Sequence, residues 1–145
     1  MESLAPHSGH YTFDADSRSI SHARHAVRGF VREHGVPGEL VDGITLAVSE
    51  ACTNVVLHAY RDRASTGSMS LDLELEPRRL RISVADRGIG MRPRTDSPGL
   101  GLGLPIIASV ADGYAVEPGA DGGTELNMCF DLMAPFAVPS APFVD

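Results

Sequence analysis

The stretch from Glu39 to Tyr60 constrains the fold most. Leu40, Ile44, Val48, Ala51, Val55 and Ala59 recur at helical spacing and form one apolar stripe. A helix of that length with one greasy side must bury it against another layer. The preceding segment offers a second helix from about Ser19 to His34, with Ile20, Ala23, Val27, Phe30 and Val31 on its inner side. Asp16 or Ser17 can cap its start, and Gly35 can end it before Pro37-Gly38 opens the long helix.

After Tyr60 the period changes. Met69–Leu75 alternates as MSLDLEL, and Leu80–Ala85 returns after the turn Glu76-Pro77-Arg78-Arg79, which predicts a hairpin. A glycine- and proline-rich loop, DRGIGMRPRTDSPGLGLG, covers residues 86–103. A short helix over Leu104–Ala111 and strands over Tyr114–Glu117 and Thr124–Leu132 complete the pattern, with Tyr11–Phe13 as a short first strand. Helices first and strands in hairpins imply the α+β class: a two-layer sandwich with a mostly antiparallel mixed sheet, covered by helices on one face. The 145 residues suit a single domain. The expected limits are a flexible arm over residues 1–10, the domain over 11–133 and a proline-rich tail over 134–145.

Charge narrows the function. All 12 basic residues are arginines. Without lysine there is no P-loop, no Schiff-base or pyridoxal chemistry, and no kinase of the strand-lysine type. A net charge of −7 argues against nucleic acid as a direct partner. The start, MESLAPHSGH, has neither a basic nor an apolar leader segment, and no apolar run reads as a membrane span, so a cytoplasmic location is expected. Cys52 and Cys129 lie in apolar runs without zinc or disulfide spacing, which suits a reducing compartment.

Four short stretches carry possible chemistry. Glu50, Asn54 and His58 follow one another at four-residue steps on the long helix. A carboxylate there can take a proton, and an amide carbonyl is a hard-oxygen group of the kind Mg²⁺ accepts. A solvated polar stripe would show the same pattern. Asp86-Arg87-Gly88-Ile89-Gly90 follows a strand. An acceptor-only carboxylate held by a sheet suits an exocyclic amine such as adenine N6, although Asp-Gly turns are common. Gly99-Leu100-Gly101-Leu102-Gly103-Leu104 opens a helix, where glycines let phosphates approach the backbone. Gly122-Gly123-Thr124 starts the last strand and is also what a plain hairpin turn looks like.

Taken in order, SEACTNVVLHAY at 49–60, DRGIG at 86–90, GLGLGL at 99–104 and GGT at 122–124 resemble the four nucleotide-binding boxes of the GHKL superfamily with its Bergerat ATP-binding fold. The wording EACTN…HAY is similar to that of the bacterial anti-sigma-factor serine/threonine kinases that partner STAS-domain antagonists. The resemblance implies ATP and Mg²⁺ as cofactors. It implies Glu50 as general base for a serine hydroxyl, and Asn54 as Mg²⁺ ligand. Asp86 is the implied acceptor from adenine N6, with Thr124 beside it. Gly88 and Gly90 would shape the adenine side, and Gly101, Gly103 and Leu104 would make room for phosphates. Arg92 and Arg94 are the cations within reach of a γ-phosphate. It also implies a STAS-domain anti-anti-sigma protein and a sigma factor as partners, and a homodimer.

The segment Met91–Pro98 between the second and third boxes is eight residues, shorter than the usual ATP lid of the family. This motivates a second reading, a nucleotide-gated binding module with little or no kinase activity. An orphan histidine-kinase-type catalytic domain is a third, for which the first 40 residues offer no phosphoacceptor helical hairpin.

Overall fold

The computed structural model describes residues 7–60, 67–87, 103–119 and 122–132. Its elements run β1 (His7–Asp14), α1 (Ser17–Glu33), α2 (Gly38–Asn54), a π-helical turn (Val55–Ala59), β2 (Ser68–Glu76), β3 (Arg79–Asp86), α3 (Leu104–Val110), β4 (Gly113–Pro118) and β5 (Thr124–Asp131). The expected order β-α-α-β-β-α-β-β is the observed one, and the α+β two-layer class holds.

The five strands lie in the order β1-β2-β3-β5-β4. Every neighbouring pair is antiparallel. The expected mixed character is therefore absent among the described strands. After β3 the chain passes α3, lays β4 at the edge, and turns back to insert β5 between β4 and β3. β1 is longer than the expected Tyr11–Phe13. His7 already pairs with Leu75, so His7–His10 of the expected arm belongs to the sheet.

Alternation explains the packing. Met69, Leu71, Leu73 and Leu75 of β2, Leu80, Ile82 and Val84 of β3, and Leu126, Met128 and Phe130 of β5 all point to the helix side and are buried. Opposite them α1 buries Ala23, Val27, Phe30 and Val31. Each such aliphatic side chain contributes roughly 1.5–3 kcal/mol on burial. The other face of the sheet stays open and polar. There His10 pairs with Asp72, Ser83 donates to Asn127, and Asn127 donates to Glu117 at 2.8 Å.

Local signals set the helix ends. Asp16 accepts from the Arg18 and Ser19 amides at 2.9 and 3.3 Å, so it is the N-cap of α1. Gly35, at φ +80°, ends α1 while Val36 N–H reaches back to the Val31 carbonyl at 2.9 Å.

α2 is buried on more than one side, by α1, the sheet and α3. Its hydroxyls return to its own backbone: Thr45 donates to Val41 O and Thr53 to Ser49 O, both at 2.7 Å. By length and apolar composition Gly38–Ala59 could cross a bilayer, and half of it is buried inside the fold. Val41, Ile44, Ala47, Val48, Ala51, Cys52, Val55 and Ala59 are core residues, while Leu46 and Leu57 are exposed.

The helix expected to run unbroken to Tyr60 changes at Val55. Its α-helical part stops at Asn54 and a π-helical turn takes over to Ala59. Such a turn accommodates an additional residue and is frequent at functional sites. One residue corresponds to about 100° of helix rotation, so the side chains after Asn54 leave the line of Glu50 and Asn54.

Candidate functional site

Two joins build the site: the last turns of α2 against the start of α3, and the end of β3 against the start of β5. Asn54 is 1% exposed, and Glu50, one turn earlier, is half-buried. The polar stripe of α2 is therefore not a solvated face. The head of α3 covers it.

That covering needs glycine. Gly103 is the N-cap of α3 and sits at φ +65°, in the left-handed region. A Cβ there would stand 2.5 Å from Glu50 Oε1 and 3.1 Å from Glu50 Cβ. Its carbonyl accepts from the Ile106 and Ile107 amides, both at 3.1 Å. Leu104 follows, half-buried and packed on the core, with Pro105 in the first helical turn.

Asp86 is the last residue of β3 and is 3% exposed; Thr124, the first of β5, is 4% exposed. The β3–β5 register pairs Ala85 with Glu125, so Asp86 and Thr124 stand one step further along at the same sheet end. Gly123 lies directly on this backbone. A Cβ on it would stand 1.8 Å from the Asp86 carbonyl oxygen and 2.6 Å from Arg87 Cα. The second glycine of the GGT stretch is thus a close-approach position rather than only part of a turn.

The arrangement brings together Glu50 with Gly103 and Leu104, and Asp86 with Thr124. Glu50 ties the first group to α2, and the Tyr60 hydroxyl, just past the π-helical turn, ties the second to the same helical stretch through the Arg87 amide. His58 falls within the π-helical turn, out of the four-residue step. Gly88, Gly90, Arg92, Arg94 and Gly101 lie outside the described residues. Sequence reasoning passed over Tyr60 and Gly67. The aromatic residue just beyond the apolar stripe was the available signal for the first; nothing local marked the second.

Cys52, buried on α2 behind the site, has its thiol pushed up from 9.0 to about 12 by desolvation. A thiol held neutral is no nucleophile, so it has no place in the chemistry. A concavity of about 800 Å³ lies on the open face of the sheet around His10, Asp72, Arg81, Ser83 and Asn127, away from these residues.

The model of the histidine kinase-like ATPase domain family matches residues 13–130. The chain belongs to that family. ATP binding follows from membership, and the described parts of the four stretches that resemble GHKL nucleotide boxes, residues 49–60, 86–87, 103–104 and 122–124, lie inside or at the edges of the elements above. Among solved structures, the RsbU and RsbW domains of Rv1364c from Mycobacterium tuberculosis share the fold of this family member, with a TM-score of 0.67 and 24% identity. That likeness covers 87% of this chain and 32% of the other, so this chain spans about a third of that length. No curated protein sequence matches the chain.

The described residues fit a nucleotide and a divalent cation. A buried amide, a buried carboxylate at a strand end and a buried hydroxyl supply hard-oxygen and acceptor groups. Gly103 brings the head of α3 directly against the half-buried Glu50 carboxylate.

Proposed function

We propose that this domain is a Mg-ATP-dependent protein serine/threonine kinase that phosphorylates a STAS-domain anti-anti-sigma protein and sequesters a sigma factor. The observation that carries the reading is Glu50 held against the glycine head of α3, where the family's phosphates belong. The EACTN…HAY wording supports the anti-sigma assignment.

Glu50 acts as general base. Its carboxylate takes the proton of the incoming serine or threonine hydroxyl, which sharpens that oxygen for attack on the γ-phosphorus as the bond to the β–γ bridging oxygen breaks and ADP leaves. Asn54 holds the metal through its amide oxygen. Mg²⁺, when bound, supplies neutralisation of phosphate charge. Gly103, with Gly101, leaves room for phosphates. Asp86 accepts from the adenine amine with Thr124 beside it, while Gly88 and Gly90 shape that side of the pocket. Arg92 and Arg94 are cations for the γ-phosphate. A chain without lysine must place such charge with arginine, metal and backbone amides. The same surface exchanges partners, holding the sigma factor or releasing the phosphorylated antagonist, in a cytoplasmic setting and as a homodimer.

The test is transfer from radiolabelled ATP with Mg²⁺ to a cognate STAS partner. Wild type is expected to label the partner on serine or threonine, and Glu50→Ala to lose the transfer. Equal labelling by both overturns the kinase reading. The eight-residue segment Met91–Pro98 favours a second reading, a nucleotide-gated binding module without catalysis. It predicts a nucleotide-dependent partner complex and no phosphorylated partner.

A further inference from the structure

Tyr60 ends the long helical stretch and is 7% exposed. Its hydroxyl donates to the Ser68 carbonyl at 2.7 Å and accepts from the Arg87 amide at 2.9 Å. One phenol therefore ties the first residue of β2 to the residue immediately after Asp86. The ring itself is seated by a glycine. A Cβ on Gly67 would stand 2.3 Å from Tyr60 Cε1 and Cζ, and 2.8 Å from the hydroxyl. On the Asp86–Arg87 backbone, Gly123 makes its own close approach. The peptide that carries the Asp86 carboxylate is thus fixed by Tyr60 and by Gly123.

We propose that Tyr60 is a positioning residue for base selection: it holds Asp86 at the angle at which its carboxylate accepts from a 6-amino group and rejects a 6-oxo group. The π-helical turn belongs to the device, because it redirects the chain after Asn54 and so decides where the phenol arrives. The physical reason for expecting selectivity is general. A buried acceptor set for an N–H donor discriminates strongly against a ligand lacking it, provided the acceptor cannot swing away. A strand end without a tether frays and lets it do so. The inference rests on the nucleotide reading of Asp86 given above.

The experiment is calorimetric titration of the intact chain with Mg-ATP and Mg-ITP, alongside thermal melts. Wild type is expected to prefer ATP. Tyr60→Phe keeps the ring and removes both hydrogen bonds. It is expected to lower the ATP-over-ITP ratio by about tenfold, the scale of one well-placed hydrogen bond, and to leave the ATP-over-ADP ratio unchanged. A Tyr60→Phe protein that weakens ATP and ITP equally has lost only stability, and that result overturns the proposal. Asp86→Asn separates the two levels. If it leaves ATP binding intact, the nucleotide reading of Asp86 fails; if it abolishes base preference while Tyr60→Phe retains it, only the role of Tyr60 fails. Should Tyr60→Phe not fold, the wild type decides by amide hydrogen exchange. Arg87 N–H is expected to exchange more slowly with ATP than with ITP, and equal rates overturn the proposal.

Discussion

Glu50 of α2 and Gly103 at the head of α3 approach so closely that any side chain at position 103 would push the Glu50 carboxylate aside: a Cβ there would stand 2.5 Å from Glu50 Oε1. The atom it would strike is the reactive end of the carboxylate, which is free to rotate away. Gly103→Ala is therefore expected to act in two ways. The left-handed backbone at φ +65° costs a non-glycine residue about 1 kcal/mol or more, visible in urea melts. Displacement of Glu50 is expected to cut phosphotransfer further than that loss of stability explains. A variant with normal initial rate would show that the contact has no bearing on the base.

Asp86→Asn replaces an acceptor-only group by one that presents a donor to the adenine amine. A hydrogen bond involving a charged group is worth about 1.5–3 kcal/mol, so ATP affinity is expected to fall by roughly ten- to a hundredfold. Because asparagine is nearly isosteric with aspartate and keeps this buried position at the end of β3 filled, the melt is expected to stay close to wild type. Calorimetry with Mg²⁺ present checks the first expectation and circular dichroism the second. Undiminished affinity would remove Asp86 from the base site.

Most of the framework could be read from residue order because it depends on local periodicity. The alternation of Met69–Leu75 separates inside from outside one residue at a time, and its inward set is the buried set. The Asp16 cap and the Gly35 stop act within a few residues of themselves. The pairing of Glu50 with Asn54 follows from helical geometry alone. What could not be read depends on distant partners. His7–His10 shows no helical or alternating apolar pattern, and it becomes strand only because β2 lies alongside. The π-helical turn at Val55–Ala59 interrupts a stripe that looks continuous in sequence. Gly67 and Gly123 matter through contacts to Tyr60 and Asp86 that no spacing rule announces.

Cys52 gives a pH prediction. Burial raises its folded pKa to about 12 from 9.0. Between those values the unfolded chain releases the thiol proton and the folded chain keeps it, so the folded state binds more protons. Stability then falls as pH rises. The contribution is fully present below about pH 9 and is lost progressively toward pH 12, with a slope of at most about 1.4 kcal/mol per pH unit. Urea melts of wild type against Cys52→Ala, compared as a function of pH, are expected to show the slope in the first and its loss in the second. Equal alkaline slopes would mean that other groups govern this range.

Glu50→Gln is the most direct trial of the mechanism. The substitution keeps length and hydrogen-bonding capacity and removes only basicity, so the packing against Gly103 is retained. Positioned general bases contribute about 10²–10⁴-fold; transfer to the STAS partner is expected to drop by that order, with the calorimetric affinity for Mg-ATP within about twofold of wild type. The separation matters because loss of binding and loss of basicity both abolish labelling, and only the latter leaves the heat of ATP binding in place. If wild type itself labels no partner while nucleotide still governs complex formation, the gating reading replaces the kinase reading, and Glu50 is then a residue of the phosphate pocket rather than a base.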